Sequence, residues 1–390
     1  MNQPVYLDNA ASTPVRPDVL ERMLPFLSPA AVGNPSSAHR FGRAARDALA
    51  SARQEIASSL GAEPNHVIFT AGGTEADNLA ILGAVLAVRE RGGPFRIAAS
   101  ALEHPAVLEA GKAIQMMGGE FVQLSVDEQG RVDREQLQKE LDAGLALVSV
   151  MWVNNEIGTV EDIPQLATIC GDRGTLFHTD AVQAVGKVPC SMGDLPIDFL
   201  SLSGHKIGAP QGVGALVVRE RRSLKCTTHG GGQQFGLRSG TENVPGIVGL
   251  GHAVATSVRS RQDDYRHFTG LRDRLEQGIR EVVPTAVVVA EHAERAPHIT
   301  NIIFPGIDSE AMVMHLDLAG IACSAGSACH TGTVEPSRVL TAIGVPPDLA
   351  TRSIRFSFYK QNANGDVDRL LTVLPEITEK LRGLTAALGR

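Results

Sequence analysis

Short apolar runs alternate with longer amphipathic stretches through roughly the first two thirds of the chain. The runs show little internal alternation, which predicts strands of a mostly parallel sheet that is buried on both faces. Residues 79–88 form an apolar helical stretch between two of them. The predicted strands are residues 67–70, 96–100, 145–150, 176–179, 199–201 and 214–218.

After about residue 251 the pattern changes to one typical of an α+β domain. The segments involved are a charged helical stretch at 264–282, predicted strands at 286–290, 301–304 and 353–358, and predicted helices at 309–318 and from 364. The whole pattern predicts an α/β protein whose large domain, residues 14–255, carries the mostly parallel sheet. A smaller α+β domain is predicted for residues 1–13 and 256–390.

Length and charge narrow the class of protein. The 390 residues exceed what one hydrophobic core usually serves, which agrees with two domains. The net charge of −7, from 36 basic and 43 acidic residues, argues against a surface that binds nucleic acid. The start of the chain lacks the pattern of a signal peptide, and no apolar run is long enough to span a bilayer. These features predict a cytoplasmic protein that binds no membrane.

The cysteines do not form a structural pattern. They are few, odd in number and scattered, unlike a disulfide framework, and they stand at positions 170, 190, 226, 323 and 329. Cys323 and Cys329 lack the second ligand pair that a zinc site needs, so no metal site is expected. Cys170 and Cys190 are expected to be buried and inert.

The segment from Ser203 to Lys206 is the first candidate for chemistry. It follows a predicted strand and is surrounded by glycines, so Lys206 is expected at a strand end on an irregular loop. A lysine there can form a Schiff base with an aldehyde cofactor and later move a proton. Ser203 and His205 can donate hydrogen bonds to a phosphate. Taken alone, the segment is interpreted more readily as a surface lysine in a glycine-rich turn.

Two further segments favour a chemical role for Lys206. Asp180 ends a predicted strand, where a carboxylate can keep a pyridinium nitrogen protonated, although helix N-cap aspartates are common at such turns. Gln183, nearby, is expected close to the ring hydroxyl. Residues 70–75 (TAGGTE) lead from a strand into a helix, whose free amides attract phosphate, although an ordinary tight turn also fits. Together with Lys206, the two segments indicate pyridoxal phosphate.

Motifs spread through nearly the whole chain resemble those of the cysteine desulfurases of the NifS and IscS type, in the class-V aminotransferase group. The motifs are YLDNAASTP (6–14), GNPSS (33–37), FTAGGTE (69–75), EH (103–104), VNNEIG (153–158), HTD (178–180), SGHK (203–206), HGGG (229–232), RSGT (238–241), SAGSAC (324–329) and IRFS (354–357). Their order and spacing make a coincidence untenable.

The resemblance implies a fold-type-I pyridoxal-phosphate enzyme that works as a homodimer. Lys206 is then the Schiff-base lysine, Asp180 the pyridinium partner and His104 the residue that stacks on the ring. The other implied cofactor contacts are Gly73, Thr74, Asn155, Gln183, Ser203, His205 and, from the neighbouring subunit, Thr241. Arg355 is implied to bind the substrate carboxylate beside Asn155, and an arginine suits that task because its planar fork binds two oxygens. Without the resemblance, the alternating residues 354–358 predict that Arg355 lies on the solvent face of a strand.

Cys329 is the implied sulfur acceptor. It lies among small residues that cannot build a core, so a mobile loop is expected, and such a loop gives a nucleophilic thiolate access and movement. His104 or the adjacent His330 is a candidate to assist proton transfer. The implied reaction converts L-cysteine to L-alanine and leaves a persulfide on Cys329. Acceptor proteins of iron–sulfur cluster or thio-cofactor biosynthesis would then take the sulfur.

Two alternatives remain open at this level. Selenocysteine lyase is a related activity, and the Ala-Cys-His order at 328–330 permits it because the desulfurases often carry Cys-Thr-Ser there. A non-catalytic platform that docks sulfur acceptors is the second alternative, and the presence of Lys206, Asp180 and Cys329 argues against it.

Overall fold

The computed structural model describes residues 4–29, 32–326 and 335–387, with side chains as far as residue 383. The strands are β1 (Val5–Tyr6), β2 (Val67–Thr70), β3 (Arg96–Ser100), β4 (Glu120–Leu124), β5 (Leu147–Ser149), β6 (Leu176–Asp180), β7 (Phe199–Ser203), β8 (Gly214–Val218), β9 (Val287–Val288), β10 (Ile299–Ile303), β11 (Ile321–Ala322), β12 (Ser324–Ala325) and β13 (Ser353–Ser357). The helices are α1 (Pro17–Leu27), α2 (Arg40–Leu60), α3 (Gly73–Glu90), α4 (Pro105–Met116), α5 (Arg134–Asp142), α6 (Ile163–Gly171), α7 (Val244–Val282), α8 (Ser309–Leu318), α9 (Arg338–Ala342), α10 (Pro347–Ala350) and α11 (Asn364–Ala387).

A seven-stranded sheet forms the centre of the molecule, in the order β2-β8-β7-β6-β5-β3-β4. Strand β8 is antiparallel to both of its neighbours, and the other adjacent pairs are parallel. This confirms the predicted mostly parallel sheet, and each of the six predicted strands is present. Strand β4 was not predicted, because it lies at the sheet edge and its exposed Glu120 and Gln123 leave neither a continuous apolar run nor a regular alternation.

Helices bury both faces of this sheet. Helices α1, α2, α5, α6 and the first half of α7 share one apolar core with it, and α3 and α4 share the core on the opposite face. Burial on both faces explains why β2 and β8 are apolar at nearly every position.

A second apolar core lies in the C-terminal part of the chain. It packs the end of α7, α8 and α11 against a four-stranded antiparallel sheet, β12-β13-β10-β9. Strand β1 pairs in parallel with β11, which brings the N-terminal segment to this side of the molecule. Helix α7 runs without interruption through residues 255 and 256. The division of the chain into 14–255 and 1–13 plus 256–390 stays a prediction.

The fold brings the ends of two strands and the start of one helix to one crevice. Strand β6 ends in Asp180, β7 ends in Ser203, and β2 leads through a short turn into the N-terminus of α3. The carboxyl edge of a parallel sheet is where such proteins bind ligands. Of the helices in the described residues, none is both long enough and apolar enough to cross a membrane.

Two glycines of α7 differ in how much space surrounds them. A Cβ atom on Gly251 would lie 2.8 Å from the Cα of Ala52 on α2, whereas a Cβ on Gly270 would meet nothing within 4 Å. We predict that Gly251→Ala lowers the free energy of unfolding by about 1–3 kcal/mol through overpacking. Gly270→Ala, on the same helix, should raise it by roughly 0.5–1 kcal/mol through helix propensity. Denaturant unfolding of both variants measures the difference, and equal effects would contradict this packing.

Candidate active site

A cavity of about 350 Å³ lies at the carboxyl edge of the sheet, between the sheet and the N-terminal segment. It contains ten of the twelve residues predicted for the site, namely Gly73, Thr74, His104, Asn155, Asp180, Gln183, Ser203, His205, Lys206 and Arg355. Residues separated by hundreds of positions in the chain therefore face one space. Its volume is within the roughly 300–1,000 Å³ that small-molecule sites occupy.

Lys206 reaches this cavity from a 3-10 turn that follows β7 directly. Its Nζ donates to the carbonyl oxygens of Ala10 and Ala11, at 2.6 and 2.8 Å. Burial and the positive charge of Arg355 lower the pKa of the Lys206 amine to about 8, although the Asp180 and Asp8 carboxylates act in the opposite direction. A lysine with this pKa is partly neutral near pH 8 and is then a competent nucleophile and base.

Asp180 is the buried carboxyl at the end of β6. It is 5% exposed, and its Oδ1 accepts from the amide of Val182 at 2.8 Å. Burial raises the pKa of Asp180, while the Val182 amide and the charges of His104 and Lys206 oppose that rise. A cation placed beside it, such as a protonated ring nitrogen, would favour the carboxylate.

A second carboxyl, Asp77, shares the cavity with Asp180 and was not predicted. It is 1% exposed, its Oδ1 accepts no hydrogen bond from a described residue, and burial together with Asp180 raises its pKa well above the ordinary value. The nearby His178 is held between Ser149 and Ser201, at 2.8 and 3.0 Å, and burial lowers its pKa to about 3. A neutral imidazole gives Asp77 no counter-charge, so Asp77 is the neutral acid of the pair.

His104 stands at the N-cap of α4, with a proline at the first helical position. Its Nδ1 accepts the Ala106 amide at 3.1 Å, so its other ring nitrogen carries the proton in the neutral ring. Burial lowers the pKa of His104, and the charges of Lys206 and Arg338 act in the same direction. The guanidinium of Arg338 donates to the carbonyl oxygens of Ala101 and Glu103 and so fixes the turn before His104.

The N-terminus of α3 closes another side of the cavity. Gly72 at the N-cap has no side chain to accept from the first helical amides, which leaves them free for an anion. A Cβ on Gly73 would lie 2.9 Å from Cγ2 of Val182, so a larger residue would crowd this turn. Ser203 and His205 also line this side, and a second cavity of about 600 Å³ adjoins it.

Arg355 enters from β13 on the opposite side. One guanidinium nitrogen donates to the carbonyl oxygen of Asn155 at 3.0 Å, and the other forms an ion pair with Asp8 at 2.9 Å. Its Nε is buried without a hydrogen-bond partner among the described residues. Arg355 therefore faces inward with donors to spare, and its interpretation as the solvent face of a strand is wrong.

The remaining two predicted residues are elsewhere. Thr241 is exposed and does not line the cavity of its own chain. Cys329 and His330 lie outside the described residues. Cys170 and Cys190 are buried as predicted, and burial raises the pKa of Cys170 to about 12 and that of Cys190 further.

Sequence reasoning missed Asp77, Asp8 and Arg338. A signal existed for Asp77, because it follows Gly73 by four positions and so lies on the same face of α3. Asp8 belongs to the motif at 6–14, but its partner Arg355 is 347 positions away. No local pattern connects the two residues.

The charges around Lys206 generate a testable prediction. In the ligand-free protein, Arg355→Met should raise the pKa of Lys206 above about 8, because it removes a nearby positive charge. Asp180→Asn should lower it, because it removes a negative one. Competitive labelling with acetic anhydride across pH, read by peptide mass spectrometry, measures this pKa directly. The exposed Lys139 serves as the internal reference for the reactivity of the reagent. Shifts in the same direction for both variants would contradict this electrostatic arrangement.

Comparisons with known proteins agree with the geometry. The family model described as Aminotransferase class-V matches residues 5–370. A cysteine desulfurase of Gluconacetobacter diazotrophicus is 45% identical over 98% of this chain and 95% of its own length. A solved NifS-like protein superposes with a TM-score of 0.90 at 35% identity, covering 97% of this chain and all of its own.

Another solved structure, described as SspA in complex with cysteine, has a TM-score of 0.77 at 34% identity. It covers 91% of this chain and 98% of its own. These similarities extend over nearly the full length of each pair of compared chains. They confirm the predicted fold class, an α/β fold of the aminotransferase type. The chain therefore belongs to the class-V aminotransferase family and, within it, to the cysteine desulfurases.

Proposed function

We propose that this protein is a pyridoxal-phosphate-dependent cysteine desulfurase that converts L-cysteine to L-alanine and carries the sulfur as a persulfide on Cys329. The observation that supports it most is the convergence of Lys206, Asp180 and Arg355 on one cavity. The Lys206 amine, the Asp180 carboxyl and the Arg355 guanidinium each match one polar feature of the cofactor and its amino-acid substrate. These features are an aldehyde, a basic ring nitrogen and a substrate carboxylate.

The residues present fit this cofactor. The open N-terminus of α3, with Gly73 and Thr74, suits a phosphate group, as do Ser203 and His205 beside it. Asp180 suits the ring nitrogen, and Gln183 suits the ring oxygen. When bound, the cofactor supplies an electron sink for the substrate carbon that loses its proton.

The chain's own residues supply the rest. Arg355 binds the substrate carboxylate through donors that Asp8 and Asn155 leave free. Lys206, with a pKa near 8, accepts the proton from the substrate Cα and returns it. His104, neutral and held at its Nδ1, presents its other nitrogen as a donor.

Sulfur transfer itself balances as a displacement. The Cys329 thiolate attacks the substrate sulfur, so that an S–S bond forms while the C–S bond breaks. The electron pair of the broken bond stays with the substrate carbon, which takes a proton and becomes the methyl group of alanine. The net change is cysteine plus a protein thiol to alanine plus a protein persulfide, with no external oxidant. A sulfur-accepting protein then removes the outer sulfur by thiol exchange.

A second copy of the chain is part of the proposed site. Thr241 is exposed and away from its own cavity, while the cavity of about 600 Å³ beside residues 71–75 opens outward. We propose that Thr241 from a second copy enters there and binds the phosphate, so that a homodimer carries two shared sites.

Cys329→Ser is the first test of the function. It should keep the visible absorbance of the bound cofactor yet lose at least about 10³-fold in cysteine-dependent sulfide release, because the nucleophile is gone. Cys226→Ser, at a partly exposed free cysteine, is the matched control and should retain activity. Retained sulfide release by Cys329→Ser would overturn the proposed carrier.

Subunit mixing tests the shared site. Lys206→Ala removes the amine, and Thr241→Asp sets a carboxylate against the phosphate, so each variant alone should be inactive. A mixed dimer rebuilds one intact site from Lys206 of one copy and Thr241 of the other. Refolding an equal mixture should therefore restore up to about one quarter of the unsubstituted activity, as random pairing predicts. If the mixture stays inactive although mixed dimers form, Thr241 does not act across an interface.

A further inference from the structure

Lys187 is a buried lysine that the mechanism above does not use. It is 2% exposed and lies in the irregular turns after β6. Within the described residues no carboxylate forms an ion pair with it, and its Nζ donates to Oε1 of Gln183 at 3.2 Å. Burial, with a further contribution from the charge of Lys206, lowers the pKa of Lys187 to about 7. Keeping an amine here is costly, and an apolar side chain would pack without that cost.

His298 approaches the same oxygen from the other half of the molecule. It is fully buried just before β10, and its Nε2 is 3.2 Å from Oε1 of Gln183. Burial lowers the pKa of His298 well below its ordinary value, so the ring is neutral. Since a carbonyl oxygen can only accept, Nε2 carries the ring proton and donates it.

These contacts determine which way the Gln183 amide points. Its Nε2 donates to the carbonyl oxygen of Ala10 at 2.9 Å. The reverse orientation would set its NH₂ against the Nζ of Lys187 and its oxygen against the carbonyl oxygen of Ala10. Donors would then face donors and acceptors would face acceptors at both ends of the amide.

The fixed amide sits beside the reacting amine. Ala10 accepts from Gln183 and also from Lys206, at 2.6 Å. Gln183 lines the cavity, and its NH₂ has two hydrogens, of which Ala10 takes one. The other is available on the cavity side as a donor.

The fold brings Lys187 beneath α7 through one special residue. Gly186 has φ of +74°, and a Cβ there would lie 2.5 Å from Cβ of Ser257 on α7. Only glycine meets both conditions, so the chain turns here and directs Lys187 inward.

We propose that Lys187 and His298 are positioning residues that hold the Gln183 amide with its N–H toward the cavity, as a donor to the ring oxygen of the cofactor beside Lys206. This inference rests on the proposed function and adds two residues to it. A donor at that oxygen stabilises its anionic form. It therefore lowers the pH at which the visible absorbance that Lys206 forms with pyridoxal phosphate changes.

Lys187→Met is the primary variant, because methionine has a side chain of similar length but no hydrogen-bond donor. It also removes the cost of burying an amine, so the variant should fold. Without one of its two donors the amide is held less firmly and can turn to present its oxygen. We expect an upward shift of roughly half to one pH unit in the absorbance midpoint, the worth of one hydrogen bond. We also expect an increase of about 3- to 10-fold in the dissociation constant for pyridoxal phosphate. Lys139→Met, at an exposed lysine, is the matched control and should change neither.

The double variant separates positioning from simple charge. Losing the Lys187 charge would itself raise the midpoint, but that effect would persist without Gln183. The proposal expects most of the Lys187→Met shift to disappear in a Gln183→Ala background, where only the charge effect is left. His298→Phe, which removes a donor but no charge, should shift the midpoint in the same direction as Lys187→Met.

Each outcome decides the matter. No shift for Lys187→Met, or an equal shift with and without Gln183, overturns the positioning role and leaves the proposed function intact. An unsubstituted protein that gives no visible band with pyridoxal phosphate overturns the proposed function and this inference with it.

Discussion

The site depends on holding two cations, Lys206 and Arg355, in one cavity where both side chains are largely shielded from solvent. Burial and mutual repulsion both oppose these charges, so each needs partners that stabilise it. The N-terminal segment meets this constraint by crossing between the two sheets, where it offers the carbonyls of Ala10 and Ala11 to the amine and the carboxylate of Asp8 to the guanidinium. The short pairing of β1 with β11 therefore serves the chemistry as much as the fold.

Asp180 is the counter-charge on the far side, and the surplus acids around it stay neutral. Asp77 and Glu103 are almost fully buried, each with one oxygen that has no partner among the described residues, and burial raises the pKa of both well above ordinary values. Two cations thus face two anions, Asp180 and Asp8. Burial and the charge of Arg355 outweigh these two anions and lower the pKa of Lys206 to about 8, which makes the amine reactive near neutral pH.

The sequence alone predicted what local patterns encode. Asp180 and Lys206 were found because each follows a buried strand, and Gly73 because a strand, a turn and a helix follow one another. The Asp8–Arg355 pair and the Lys187–Gln183–His298 contacts were not, since their partners meet only when distant segments fold together. Strand β4 was missed at the sheet edge, and the pattern also started the long helix at 264, although α7 begins at Val244. The roles given to Cys329 and Thr241 come from the family resemblance and stay proposals.

The central claim is that one cysteine is converted to one alanine while its sulfur passes to Cys329. It is tested most directly by a single turnover of the holoenzyme with limiting L-cysteine, without reductant, with amino-acid analysis and peptide mass spectrometry of the same sample. The account predicts alanine and a Cys329 persulfide in equal amounts. Pyruvate with free sulfide, or alanine with the extra sulfur on Cys226 and none on Cys329, would contradict it.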